Sequence, residues 1–214
     1  MSNYKGNPIK DLRGFLTDAE VKTLIDGALK FRDKVFLRLV YKTGARVSEI
    51  TGDKSWYRIS KENSELRVYE PAKVQDIDFK EGNIILNLLK RKQYPPPKHL
   101  VTLDKTTLQM LEAYILQEHL QPTDRLFPFT RERAFQIIRE VGESVGITRV
   151  GSKDIHMHHL RHSNCVTWIR NNNTLEGLRK LQQRIGHANI NTTAQYLQFG
   201  PEQQEETEDV FGKW

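Results

Sequence analysis

The chain has 214 residues, with 33 Lys and Arg against 27 Asp and Glu and a net charge of +6, a size that suits one large domain. A hydrophobic share of 37% beside 28% charged residues still allows a core, which argues against disorder throughout. A single cysteine, Cys165, excludes a disulfide framework and a Cys-rich zinc site; no apolar run reaches the roughly 18–20 residues of a membrane span and no signal peptide opens the chain, so the cytoplasm is the expected compartment.

Helical signals come first. Thr17 and Glu20 have capping-box spacing and Leu16 can staple onto Val21, so a helix is predicted from Thr17 to near Leu29. A second runs from about Asp33 to Lys42 on Val35, Phe36, Leu39 and Val40, with Gly44 as its stop, and ARVSEI reads as a short third. Residues 51–73 are polar and irregular and read as an inserted loop, with RVYEP as a candidate strand. Alternation on both sides of Glu81-Gly82-Asn83 predicts a β-hairpin, and a turn stiffened by Pro95, Pro96 and Pro97 leads to a third strand around His99 to Leu103. Five segments at helical period follow, parted by Pro122, Pro128, Gly151, Asn173 and Gly186. The expected fold is mainly α with a small three-stranded antiparallel β-sheet, an α+β arrangement. Residues 1–15 form a lead, 16–199 a domain with an insert near 51–73, and 200–214 a tail in which Glu202, Glu205, Glu206, Glu208 and Asp209 outweigh Lys213. The body is therefore more basic than the total, which suggests a polyanionic partner.

HMHHLRHS concentrates the reactive side chains. On a helix, His158, Arg161 and His162 share a face. His158 and His162 also have the spacing of a metal-chelating pair, but HExxH is absent and no acidic third ligand lies nearby. Downstream, His187 follows Gly186 at a helix boundary and Tyr196 lies nine residues on; upstream, Arg46 stands just past the turn at Gly44. Taken singly, these have plain structural readings: an Arg46–Glu49 ion pair one turn apart, a core aromatic at Tyr196, a surface histidine cluster.

Taken in order, Thr43-Gly44-Ala45-Arg46-Val47-Ser48-Glu49, His158-His159-Leu160-Arg161-His162, and Gly186-His187 with Thr192, Thr193 and Tyr196 resemble the three boxes of the tyrosine recombinase family, the phage-integrase-like enzymes. The resemblance covers about residues 15 to 199 and implies the catalytic-domain fold of that family. It implies that Tyr196 attacks a DNA phosphodiester to give a 3′-phosphotyrosine and a free 5′-hydroxyl. Arg46 and Arg161 would clamp the non-bridging oxygens, because a guanidinium fork matches phosphate, with His187 as a further donor. His158 is the candidate general base or phosphate donor, and Lys90 on the hairpin, with Lys92 as runner-up, the candidate acid for the leaving oxygen. Glu49 is placed to orient an arginine, and His162 to hydrogen-bond backbone or phosphate behind the reacting groups. The ester conserves bond energy, so neither a nucleotide cofactor nor a metal is expected.

The implied partner is double-stranded DNA, with a homo-oligomer forming on it: a tetramer in synapsis, a monomer when free. Arg91, Lys92, Lys98, Arg131 and Arg133 are candidate DNA contacts, and other basic residues such as Arg184 join them as phosphate contacts. Residues 1–15 are too short for the N-terminal core-binding domain of most such enzymes, so the expectation is either a catalytic portion or a minimal single-domain recombinase. The insert is a second departure, basic and aromatic at Trp56, Tyr57, Arg58, Lys61, Arg67 and Tyr69, and His159 stands where the family often has aspartate. The tail, with Val210, Phe211 and Trp214 among acids, suits docking on a neighbouring subunit. Two alternatives stay open: relaxation of the type IB topoisomerase kind, and a non-catalytic DNA-binding module of the same fold.

Overall fold

In the computed structural model, which describes residues 14–58, 64–89 and 94–199, helix α1 spans Asp18–Asp26. Thr17 caps it as expected: its hydroxyl accepts the Glu20 N–H, and the Glu20 carboxylate accepts the Thr17 N–H. The helix stops at Gly27, short of Leu29, whose side chain is almost wholly exposed and so gives no reason to extend the apolar face. Helix α2 (Phe31–Thr43) is the central element, because Val35, Phe36, Leu37, Leu39 and Val40 are buried on every side of it. It packs on α4 (Lys105–Gln117) and α6 (Met157–Asn171). Phe36 also meets Phe127 and Phe129 edge-on, and Ala134, Ile137 and Ile138 of α5 (Arg131–Ser144) complete this main core.

The short helix α3 (Val47–Thr51) follows the Gly44 turn. Beyond it the chain departs from the sequence expectation. The expected loop over 51–73 is a two-stranded antiparallel hairpin, β1 (Asp53–Arg58) with β2 (Ser64–Tyr69), in register from Asp53 opposite Tyr69 to Arg58 opposite Ser64. Its pattern was hard to read because β2 buries only Arg67 and leaves Leu66 and Val68 exposed, the reverse of the usual alternation.

Strands β3 (Ile77–Asp78), β4 (Asn83–Asn87) and β5 (Lys98–Thr102) form the three-stranded antiparallel sheet expected from the sequence. Ile84 opposite Val101 and Leu86 opposite His99 turn toward the protein interior. A further two-stranded pair, β6 (Arg149–Val150) with β7 (Lys153–Asp154), turns at Gly151, where the sequence suggested only a break between helices.

Helix α7 (Leu175–Ile185) packs on α6, and the two enclose a second, smaller core of Cys165, Val166, Ile169, Leu178, Leu181 and Ile185. Tyr196 and Phe15 belong to it. The last predicted helix is shorter than expected: α8 covers only Asn191–Ala194, Tyr196 sits in the turn after it, and a 3₁₀ turn occupies Leu197–Phe199. No described helix is long and apolar enough to cross a membrane.

Candidate active site

Two glycines bring the boxes together. Gly44 ends α2 with φ +63, and a Cβ there would stand 2.7 Å from the Asn164 side-chain oxygen on α6. Gly186 ends α7 with φ +64, and a Cβ there would run into the Leu88 side chain just past β4. The turn carrying Arg46, the helix carrying Arg161 and the strand leading to Lys90 are thus in close approach.

Arg161 fixes that approach. Its side chain is 2% exposed, and its two terminal nitrogens donate to the carbonyls of Gly44 and, at 2.8 Å, of Ile185. Both acceptors close helices, so a buried cation faces the negative ends of α2 and α7. Burial first, and then the charge of Arg46, lower its pKa, with Glu49 opposing.

Glu49 organises the other half. Its buried carboxylate accepts from the Arg46 backbone N–H at 2.8 Å, from Arg46 Nη1 at 2.9 Å and from the Leu89 N–H at 3.2 Å. The Arg46–Glu49 pair expected as a plain alternative is therefore present, and the same carboxylate also holds the end of the sheet next to Lys90. Lys90, Arg91 and Lys92 themselves lie outside the described residues.

Tyr196 is 3% exposed, and its hydroxyl lies 2.7 Å from His162 Nδ1. Burial and the Cys165 thiol push the phenol pKa up, opposed by Arg161. The sequence reading puts His162 behind the reacting groups, bonded to backbone or phosphate; in the structure its ring meets the phenol. The His158 ring stands edge-on to His162, with centroids 4.6 Å apart. His158 keeps an exposed edge, yet partial burial, followed by the charges of His162 and Arg161, draws its pKa down to about 3. His187 Nδ1 is 3.0 Å from the hydroxyl of buried Thr193, which gives that threonine a role in setting the ring. Arg46, Arg161, His158, His162 and Tyr196 thus share one electrostatic neighbourhood.

Three participants escaped the sequence reading. Cys165 lies under the phenol, one turn on from Arg161, at a helical spacing that marks the shared face. The His99 ring sits near Glu49 and Arg161 from the β5 side, its pKa lowered chiefly by burial; inward alternation with Leu86 was its signal. Phe15, counted with the lead, walls a 170 Å³ cavity beside Tyr196 and His162. His159 has a structural place: its Nδ1 accepts the His156 N–H at 3.2 Å at the start of α6, a capping role that an aspartate also fills.

Among the expected DNA contacts, Lys98 is exposed, Arg131 is half-exposed with Asp53 at 3.6 Å, and Arg133 is clasped by both oxygens of Glu140 at 2.6 and 2.9 Å. Arg184 is corrected: its guanidinium donates to the carbonyls of Lys42 and Thr102 and lies over the Trp168 ring, so it braces the fold.

Known proteins resemble this chain in sequence and fold. The chain is 25% identical over 198 residues to the tyrosine recombinase XerA of Pyrococcus horikoshii, covering 87% of this chain and 57% of that protein. It is 29% identical over 211 residues to the tyrosine recombinase XerD of Bifidobacterium longum, covering 87% and 58%. The chain therefore spans less than two thirds of the length of either relative. The solved catalytic domain of bacteriophage HP1 integrase superposes with a TM-score of 0.61 at 19% identity, over 94% of this chain and 95% of that one, a likeness of fold. The phage integrase family itself matches residues 14–202, which takes in all three boxes, and the chain belongs to that family.

Proposed function

We propose that this chain is the catalytic part of a site-specific DNA recombinase that cuts and rejoins strands through a covalent 3′-phosphotyrosine. One observation carries the reading: Arg46 after the Gly44 turn, His158, Arg161 and His162 of α6, and Tyr196 after α8 share one electrostatic neighbourhood. The relatives' names point the same way.

The chemistry follows from charge. A phosphodiester resists attack because negative charge accumulates on the phosphoryl oxygens, and enzymes remove roughly 8–23 kcal/mol of such barriers. A single positioned donor is worth about 2.7–4 kcal/mol, so several must converge. Arg46, part-exposed and held by Glu49, offers its outer face to one non-bridging oxygen. Arg161 keeps donors beyond the two given to carbonyls, and its charge stays in place at any working pH. His158, whose pKa is drawn well down, adds a neutral N–H donor, and His187 a further ring donor. Tyr196 forms the bond to phosphorus as the 5′-oxygen leaves, taking a proton for which Lys90, beside the Glu49-anchored Leu89, is the proposed source. The partner is double-stranded DNA, with four subunits joined on two duplexes in the cytoplasm.

The test is a duplex nicked near the cleavage site, so that the short cut product diffuses away and the protein–DNA ester accumulates. Wild type gives a denaturation-resistant complex and Tyr196→Phe gives none. Equal trapping by both, or by neither, overturns the reading.

A further inference from the structure

We propose that the β1–β2 hairpin is a positioning element that grips the loop between β4 and β5 and so holds its lysine to the leaving 5′-oxygen, an inference that rests on the strand-transfer reading above. The burial of β2 points to it. Glu65, Arg67 and Tyr69 alternate onto one face, and there the strand buries a guanidinium that is 5% exposed, while Leu66 and Val68 stay exposed on the other. A cation is taken out of water only where something is arranged around it. What meets this face is Tyr94 of the loop. The Arg67 guanidinium lies 5.1 Å from the centre of its ring, Tyr69 packs edge-on to it with centroids 6.1 Å apart, and its hydroxyl donates to the Val68 carbonyl at 3.2 Å. Glu65 stands 3.6 Å from Arg67 on the same strand.

The loop is thereby tied at both ends. Strands β4 and β5 part beyond the bond from the Leu88 N–H to the Pro97 carbonyl, at 2.7 Å. On one side of the loop Glu49 accepts the Leu89 N–H, and on the other the hairpin holds Tyr94. Asn87 Nδ2 also donates to the Glu70 carbonyl at 3.3 Å, which fastens the end of the hairpin to β4. Lys90, Arg91 and Lys92, outside the described residues, fall in sequence between the two anchors. A chain reaches at most about 3.3–3.6 Å per residue, so a short stretch between two fixed points has few paths, and freeing one point multiplies them. A cleft of about 490 Å³, lined by Glu70, Pro71, Pro95 and Lys98 among others, lies between hairpin and loop, so Tyr94 bridges a gap instead of filling a core. As the bond from phosphorus to the 5′-oxygen breaks, that oxygen takes a proton from the lysine ammonium and leaves as a hydroxyl. A misplacement of roughly 1 Å at such a step costs about 10²-fold in rate. Arg67, Tyr69 and Tyr94 act through the lysine and are positioning residues.

The test uses two nicked duplexes that differ in one atom, the ordinary one and one with sulfur in place of the bridging 5′-oxygen at the scissile phosphate. A thiol has a pKa of about 8.5, so the sulfur leaves as thiolate without a proton, and every requirement except the acid stays in force. Single-turnover trapping on both duplexes, with a thermal melt, is measured for wild type, Tyr94→Ala, Tyr94→Phe, Lys90→Ala and Lys92→Ala. Tyr94 is 41% exposed, so its replacement is expected to leave the melting temperature unchanged. Tyr94→Ala is expected to cleave the ordinary duplex about 10- to 10²-fold more slowly than wild type and the sulfur duplex at the wild-type rate. Tyr94→Phe keeps the ring beside Arg67 and loses one hydrogen bond, and its rate should fall between the two. The lysine variant whose loss sulfur rescues identifies the acid, and adding Tyr94→Ala to that variant should slow it no further. A wild-type rate for Tyr94→Ala on the ordinary duplex overturns the proposal, as does an equal slowing on both duplexes. Trapping by Tyr196→Phe is a separate failure, which sinks the recombinase reading itself.

Discussion

Arg161 is the residue on which the site's geometry turns. Two of its donors end on the carbonyls of Gly44 and Ile185, so it joins the turn of the first arginine box to the helix end that precedes His187. A lysine has one ammonium in place of a planar fork and cannot hold both carbonyls while facing a phosphate. Arg161→Lys is therefore expected to lose at least one charge-assisted bond worth about 1.5–3 kcal/mol, and with it the trapped covalent complex. For a chain of this size each kcal/mol lowers Tm by roughly 2–4 °C, which a thermal melt reads directly. An unchanged melting temperature would mean that the two carbonyl bonds do not hold the boxes together. Residue chemistry was the most legible part of the sequence, because Arg46, His158, Arg161, His187 and Tyr196 stand in boxes whose order and spacing fall within the match to the phage integrase family. What the sequence could not give was direction: that Arg161 faces inward and that His162 meets the phenol depend on how α6 rolls against α2 and α7.

Helix α6 carries a second consequence, in its dependence on pH. His159 is 3% exposed, and burial, followed by His156 and His162, holds its pKa at about 3, far below the ordinary 6.5. The folded state thus keeps this ring neutral, while the unfolded chain takes up a proton as pH falls through 6.5. The stabilisation is fully present above that value and is lost progressively down to about pH 3. The melting temperature should fall on going from pH 7 to pH 4, by roughly 5 °C or more, and His159→Gln, which keeps an acceptor for the His156 N–H, should flatten the part of that fall due to this ring. An equal fall in the variant would assign the acid sensitivity elsewhere. At this scale the sequence was legible where an element buries one clear face, as for α5 and the sheet β3–β5, or is apolar all round, as for α2. It misled where burial does not alternate: β2 exposes Leu66 and Val68, and the segment around Tyr196 has helical residues but only four in helix before the turn.

On the whole molecule, a net charge of +6 suits the DNA partner proposed above without saying which cations would touch it. The structure separates the candidates. Lys98 is exposed near the base of the β-hairpin. Arg131 sits at the start of α5 with half its side chain exposed, over the Phe135 ring and in a long, solvent-screened pair with Asp53. Arg133 is occupied by Glu140, and Arg184 by carbonyls of the fold. Binding that releases counterions weakens with salt at a slope of about −0.9 per phosphate neutralised, so each true contact is countable. Duplex affinity measured by fluorescence anisotropy between about 50 and 200 mM salt should therefore lose about one unit of slope in Lys98→Ala and again in Arg131→Ala. Arg184→Ala should leave the slope unchanged and lower the melting temperature, because its donors hold Lys42 and Thr102. The opposite pattern, a flatter slope for Arg184→Ala and none for Lys98→Ala, would place the DNA on a different face from the one bounded by Lys98 and Arg131, and would require Arg184 to leave its carbonyls when DNA arrives.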